Sequence, residues 1–500
     1  MKNIIKTGIL TISLAAVSCT NLDEELYDVL SQDNFGGTEE EMASLIGPAY
    51  GTLASYVDGY YWYGMCAGDD FIIPARGTDW YSGGIYLRTH THDFNATEAN
   101  NVYNFWKFSE VNTINKIIQM IETSEVEIAD RDRTLAELRG VRAWWYFFML
   151  DKLGNVPIVT KFDDSIPTNK NTTRTDVFNF VDSELKDIIN DLTEDVNTST
   201  YGKFTKWVGY TLLAKLWINA EVYTGTADWE TALEYCDSVI TSGKYQLEPD
   251  NDDNFLVENE GSRENIFVIP FDSDYMINYF IPYQMSWHYS MVQAFDINFD
   301  CWNGSCATPS QMYSYDEDDK RLGWFLYGQQ YAQDGTPLTD RSGNLLNYTF
   351  EMEDFTNATE VEGARIYKWE VEEGGRNHLN NDFAIFRYVD VLLMKAECLL
   401  RMGKEPEARQ IVNDCRARNF DNYDDTKQIQ LLTLDELLAE RGREFIFEGW
   451  RRNDMIRFGT YGDPCDFKPN SDPADKHTWV FPIPQQVIDN NSEIVQNPGY

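Results

Sequence analysis

The residues with chemistry to offer collect in two short glycine-rich segments. In the first, Gly68–Gly84, the carboxylates of Asp69, Asp70 and Asp79 and the guanidinium of Arg76 sit beside the adjacent aromatics Trp80 and Tyr81. A saccharide shows an apolar ring face edged with hydroxyls, so its site needs a flat aromatic surface and charged hydrogen-bonding groups at the rim. Trp80 or Tyr81 would supply the platform, and Asp70, Arg76 and Asp79 would bind hydroxyls. The same residue types would equally make a loop locked by its own Asp–Arg pairs. The second segment, Cys301-Trp302-Asn303-Gly304-Ser305-Cys306, sets a tryptophan at an Asn-Gly turn. Trp302 opposite Trp80 would form an aromatic cradle, with the Asn303 amide adding a donor and an acceptor. Cys301 and Cys306 could close a small disulfide loop in an oxidising compartment, or stay reduced. Whether the two segments meet is open at this level.

Other groupings are weaker. His90-Thr91-His92 puts two imidazoles on one face if the chain is extended, but no third ligand follows at a fixed spacing, so no metal site is assigned. Asp250–Asn254 and Asp316–Asp319 are oxygen-rich enough for calcium but lack the full loop spacing with its terminal glutamate, so solvated acidic turns are favoured and no cofactor is assigned. Trp324 and Tyr327 are further aromatic candidates, although Trp324-Phe325-Leu326 reads equally well as core. No Ser/His/Asp or Cys/His order and no phosphate-binding loop stands out. A glycoside hydrolase would need one carboxyl of raised pKa and a partner at fixed separation. Among 82 acidic residues nothing selects such a pair, so the chain is read as non-catalytic.

The elements that must position these loops are helical. Apolar residues recur at helical spacing over 38–57, 103–123, 134–152, 174–192, 204–222, 228–242, 386–402, 404–418 and 433–449. Gly154-Asn155-Val156-Pro157 stops the third of these. Neighbours such as 204–222 and 228–242 read as helix–turn–helix units, and Trp229–Tyr235 has the character of a tetratricopeptide helix, without a strict repeat. Segments of about 60–100 and 245–385 are instead rich in Asp, Asn, Gly and aromatics, with short strand-like runs at Ile266–Ile269 and Arg365–Trp369. Long irregular loops on a rigid scaffold are where function concentrates. The expectation is a mainly α scaffold with two loop-rich, partly β insertions that meet in space.

Bulk properties narrow the partners. A net charge of −41 argues against nucleic acid and against close contact with an anionic membrane surface. At the N-terminus a short basic head, an apolar stretch and Ser18-Cys19 describe a lipoprotein signal over 1–18, with Cys19 the acylated first residue of the mature body 19–500. Seven cysteines remain, an odd number, and Cys236, Cys398 and Cys415 fall in helical patterns where buried free thiols are usual.

Four blocks in order then resemble the SusD/RagB family of outer-membrane lipoproteins of Bacteroidetes. They are Arg142–Leu150 with Gly154–Val159, Phe386–Glu397, Arg441–Phe445 with Glu448–Gly459, and Pro482-Ile483-Pro484 with Gln496–Tyr500. The resemblance implies about four tetratricopeptide-like helix pairs with a loop-rich insertion. It also implies a surface-exposed, lipid-anchored protein of the cell outer membrane that captures oligosaccharides or polysaccharides. Such a protein acts as a lid on a partner SusC-like TonB-dependent transporter. Most members bind glycans without chemistry and a minority handle peptides, so peptide capture is the alternative. The charged residues of the blocks themselves, Arg387, Asp390, Glu397, Arg443, Glu444, Glu448 and Arg452, have spacings that suit ion pairs between packed helices rather than a site.

Overall fold

A computed structural model of the chain describes residues 38–59, 63–98, 103–128, 130–162, 169–276 and 280–500. The signal segment 1–18 and Cys19 lie outside these residues. Eight helices pack on one another in chain order: Glu39–Gly51 (α1), Phe108–Thr123 (α2), Arg131–Lys152 (α3), Arg174–Ile188 (α4), Lys206–Ile218 (α5), Trp229–Thr241 (α6), Tyr388–Arg401 (α7) and Glu405–Arg416 (α8). Taken two at a time they make four helix pairs. Leu434–Glu444 (α9) and Arg451–Phe458 (α10) complete the scaffold.

Local chemistry sets the boundaries. Thr38 and Glu41 form a reciprocal capping box at the start of α1, as Thr173 and Asp176 do at α4. Each satisfies two of the amides that a helix start leaves open, worth about 1 kcal/mol. In α2 the stripe Val111, Ile114, Ile117, Ile118 and Ile121 is buried, as its spacing requires. The aromatic end of α3 is buried all round, so this helix is the centre of the core. At Gly140 of α3 the ring of Phe204 occupies the place a Cβ would take, so any larger residue would push the two apart.

Two expected helices are shorter than their periodicity. The run 204–222 breaks at Asn219, whose side chain bonds Lys215 and Asn453. The run 433–449 stops at Glu444, and the chain turns through left-handed Phe447 and Gly449. Lys368 makes that break tolerable, because its buried ammonium donates to the carbonyls of Glu444 (3.1 Å) and Ile446 (2.9 Å).

Strands occur only as short antiparallel pairs among the described residues: Phe71–Ile72 (β1), Asn265–Ile269 (β2), Cys306–Ala307 (β3), Phe325–Leu326 (β4), Gly328–Gln329 (β5), Asn347–Tyr348 (β6), Arg365–Ile366 (β7) and Phe383–Arg387 (β8). Pairing of β2 with β8 closes the neck of the long insertion, and β1 with β3 ties the two insertions together.

Charges inside the scaffold are paired. Buried Arg387 contacts Glu264 (2.6 Å), Glu448 (2.6 Å) and Glu444 (3.1 Å). Arg441 bridges Asp390 (2.9 Å) and Asp454 (2.8 Å), and Arg457 bridges Glu397 (2.9 Å) and Asp454 (2.7 Å). Burial pushes the Glu440 carboxyl up, but Arg321, Arg443 and Arg416 outweigh it and hold the group down to about 2. These conserve charge inside the body by mutual neutralisation, and none points to a ligand.

Candidate functional site

Loop Gly68–Gly84 and the turn 301–306 meet. Phe71 stands opposite Ala307 and Ile72 opposite Cys306, and Thr308 reinforces the join through bonds to the carbonyls of Asp70 (3.1 Å) and Asp69 (2.6 Å). Just beyond this ladder, Trp80 Nε1 donates to the Trp302 carbonyl at 2.7 Å. The two indoles lie 6.3 Å apart at 44°, and Trp80 also rests on Tyr86 at 6.0 Å. Trp302 remains 40% exposed and Tyr81 54% exposed, so an open aromatic surface faces solvent.

Backbone geometry explains how this surface is made. Trp80 has φ +62° and Asn303 φ +53°, left-handed conformations that cost a bulky residue about 1–2 kcal/mol. Gly304 permits the closure, since a Cβ there would come within 2.6 Å of both the Trp80 ring and the Met285 carbonyl.

The rim beside the indoles is polar. Asp79 accepts from Tyr289 Oη at 2.5 Å and from Arg341 Nη2 at 2.9 Å. The Tyr289 bond holds the Asp79 carboxyl below the usual range, burial opposes this, and Arg341 adds to the lowering. Arg341 lies over the Tyr289 ring at 4.5 Å, pairs with Glu360, and keeps 56% of its side chain exposed. A fixed carboxylate and a solvent-facing guanidinium therefore edge the aromatic patch.

Three expected contact residues face inward instead. Arg76 is buried beneath the platform and donates to the carbonyls of Thr359, Glu362 (2.9 Å) and Gly304 (3.4 Å). Burial, then the neighbouring Arg365, brings its guanidinium down to about 9. Arg76 is thus a strut that ties the loops to the insertion, and its one unpartnered donor, Nε, is buried away from any hydroxyl at the surface. Asn303 is fully buried, its Oδ1 accepting from Arg365 at 2.9 Å. Asp70 is only 4% exposed, and burial followed by the charge of Asp69 pushes its carboxyl up to about 7. Its neighbour Asp69 takes the partner instead, a two-pronged pair with Arg451 at 2.5 and 2.9 Å. Backbone carbonyls engage Arg76 and Arg365 engages Asn303, while burial withdraws Asp70, so none of the three is presented to a ligand.

The proposed disulfide is also corrected. Cys301 and Cys306 are both free and buried, because they point into different apolar clusters. Cys301 joins the main core, whereas Cys306 packs with Ile72, Met352 and Phe355, its sulfur 3.7 Å from Arg76 Nη2. Burial pushes the Cys301 thiol up to about 12, so it is not a reactive thiolate.

His90 ends the short helix Ile85–His90, so the extended pair did not form. Its nitrogens face the carbonyls of Cys66 (3.2 Å) and Asp466 (2.6 Å), and those of His92 face Asp472 (2.7 Å) and Ala67 (3.1 Å). In the acidic runs, Asp316 pairs with Arg416, Asp318 with Lys427 and Asp319 with Arg321, while Asp252 accepts from Trp324 Nε1 at 2.7 Å. Trp324 is core, with Lys368 over its ring at 4.1 Å; Tyr327 is exposed and leans on Phe350.

Sequence reasoning missed Tyr289, Arg341 and Tyr86. Arg341 sits in the polar turn Asp340-Arg341-Ser342-Gly343-Asn344, whose composition marks it as exposed. Nothing local links it to Asp79, which lies 262 residues away.

Comparison with known proteins places the chain. Residues 240–500 match the SusD family. The starch-binding protein SusD of Bacteroides thetaiotaomicron is 27% identical over 428 residues, covering 76% of this chain and 75% of that protein. Among solved structures, a SusD homolog from Bacteroides thetaiotaomicron superposes with a TM-score of 0.76 at 21% identity, over 94% of this chain and 98% of the other. Surface glycan-binding protein A from the same organism, in complex with laminarihexaose, gives 0.71 at 22% identity over 92% and 99%.

Proposed function

Because this chain belongs to the SusD family, we propose that it is a non-catalytic glycan-binding protein that captures oligosaccharides on the Trp80–Trp302 surface. The observation that carries this reading is the contact of the two indoles across loops 222 residues apart, with Trp302 and Tyr81 left open to solvent. Sugar rings would stack on the indole and phenol faces, while the Arg341 guanidinium and the Asp79 carboxylate bond the hydroxyls at the ring edge. The relatives named for starch and laminarihexaose support a glycan over a peptide.

The carboxyls argue for binding without turnover. Asp79 at the rim is held ionised by Tyr289 and Arg341, the opposite of what a general acid needs. Asp70 has the raised pKa of an acid but is sealed under the β1–β3 join. We further propose a lipid anchor at Cys19, a location on the outer-membrane surface, and delivery to a SusC-like TonB-dependent transporter for which the body serves as lid. No helix among the described residues is long and apolar enough to cross a membrane.

A polysaccharide panel run by affinity electrophoresis tests the reading. One or more neutral glycans should retard the protein, and Trp80→Ala or Trp302→Ala should weaken binding by about fivefold or more, as loss of a stacking aromatic costs about 1–3 kcal/mol. Unchanged retardation in the double variant would place the site elsewhere.

A further inference from the structure

We propose that a cleft on the helical scaffold is a second binding site, for a neutral saccharide of one or two rings. It lies between α2, the exit of α3 at Pro157 and Val159, and the C-terminal helix Gln485–Asn490, and encloses about 330 Å³. That is the lower end of the range for small-molecule pockets, about 300–1,000 Å³. It shares no residue with the Trp80–Trp302 platform, so it rests on the proposed function only for the class of ligand.

Its lining selects that class. Half-buried Trp106 and Phe108 stand together, ring centroids 4.7 Å apart, as a floor for an apolar ring face. Five asparagines reach the cleft, among them Asn112, Asn115, Asn169 and Asn490. An amide both donates and accepts, which matches a hydroxyl that does the same. None of the lining residues is charged, although a quarter of the chain is. An anion would find no cation here, and a metal ion no carboxylate. A purely apolar guest would strip water from the amides without replacing its hydrogen bonds, a loss of about 1–3 kcal/mol for each group left unpaired.

Spare capacity is present. Asn115 is committed, giving its Nδ2 to the Val159 carbonyl at 3.0 Å and its Oδ1 to Arg142 at 2.7 Å. The exposed side chains of Asn169 and Asn490, by contrast, make no hydrogen bond among the described residues; only the Asn169 backbone carbonyl is used, by Asn491 at 2.9 Å. One committed amide fixes the base of the cleft, and free amides at the mouth are available to a ligand.

The test separates this site from the platform. Full-length Trp80→Ala/Trp302→Ala protein is titrated calorimetrically with maltose and with laminaribiose, then again carrying Asn490→Ala, Asn169→Ala or Trp106→Ala. At least one disaccharide should still bind, about threefold to tenfold more weakly with either asparagine variant, and undetectably without Trp106. Asn169 and Asn490 are exposed, so their variants keep the reading sound if Trp106→Ala fails to fold. If the parent binds glycan but the platform-less protein binds neither disaccharide, the second site is overturned and the first stands. Binding that ignores all three substitutions overturns it as well. If the parent retards no polysaccharide while a disaccharide responds to Asn490→Ala, the platform reading fails and this one holds.

Discussion

The scaffold around Arg387 and the rim around Arg341 use the same side chains to opposite ends. Arg387 is fully buried and faces three glutamates, with Glu444 shared among Arg387, Arg418 and Arg321. Arg341 also faces two carboxylates, Asp79 and Glu360, yet more than half of it stays in water. In the first region, charge is neutralised to allow burial; in the second, it is aimed and left available. The lesson is that a cluster of Arg with Asp or Glu says little about function until the exposure of its members is known.

The largest effect should come from breaking the sealed region. Arg387→Met would leave Glu264, Glu444 and Glu448 short of a counter-charge and cost about 3–5 kcal/mol, read as a fall in the urea midpoint. A loss under about 1 kcal/mol would mean that the network is redundant and the contrast with Arg341 is weak. Next comes Asp70, the buried acid between the two regions. Its folded pKa is raised to about 7, so its protonated form is favoured in the fold, and stability is lost as pH rises from the ordinary carboxylate range through 7. Asp70→Asn should therefore stabilise the protein by about 4 kcal/mol at pH 8 and progressively less toward pH 4, in thermal melts across that range. A gain independent of pH would show that the Asp70 carboxyl is not the group that titrates.

Smaller changes test the open region. Arg341→Ala should cost less than about 1 kcal/mol of stability but weaken glycan binding about fivefold to tenfold, a split that calorimetry and melting together would show. It should also raise the Asp79 pKa toward its ordinary value. The smallest effect concerns the thiols. Alkylation of the denatured, unreduced body after residue 19 should label all seven cysteines, and reductant should leave the melting temperature unchanged. A mass two labels short would restore the Cys301–Cys306 bridge.

Much of the scaffold was legible in the sequence because a helix states its buried face locally, as Val111, Ile114, Ile118 and Ile121 do. Helix ends were less so: nothing near Glu444 announces that Lys368 will cap its carbonyl from 76 residues away. The aromatics of the proposed platform were also visible as tryptophans in polar, glycine-bearing loops, and the fold brings Trp80 to Trp302. Asp70, Arg76 and Asn303 misled for the converse reason. A polar side chain beside an aromatic looks the same whether its partner is a ligand or a carbonyl, and the partners of Arg76 lie 228 to 286 residues on.

The β1–β3 join has a kinetic consequence. Trp80 meets Trp302 only when a segment 222 residues later has been made and docked, so the loop-closure entropy of that span must be overcome before the proposed platform exists. The early helix pairs can stack as the chain emerges, each on its predecessor. The proposed glycan platform cannot, and becomes available last. Glycan binding by this protein should thus report completed folding more faithfully than helical content does, and a chain cut short before residue 301 would be helical and blind.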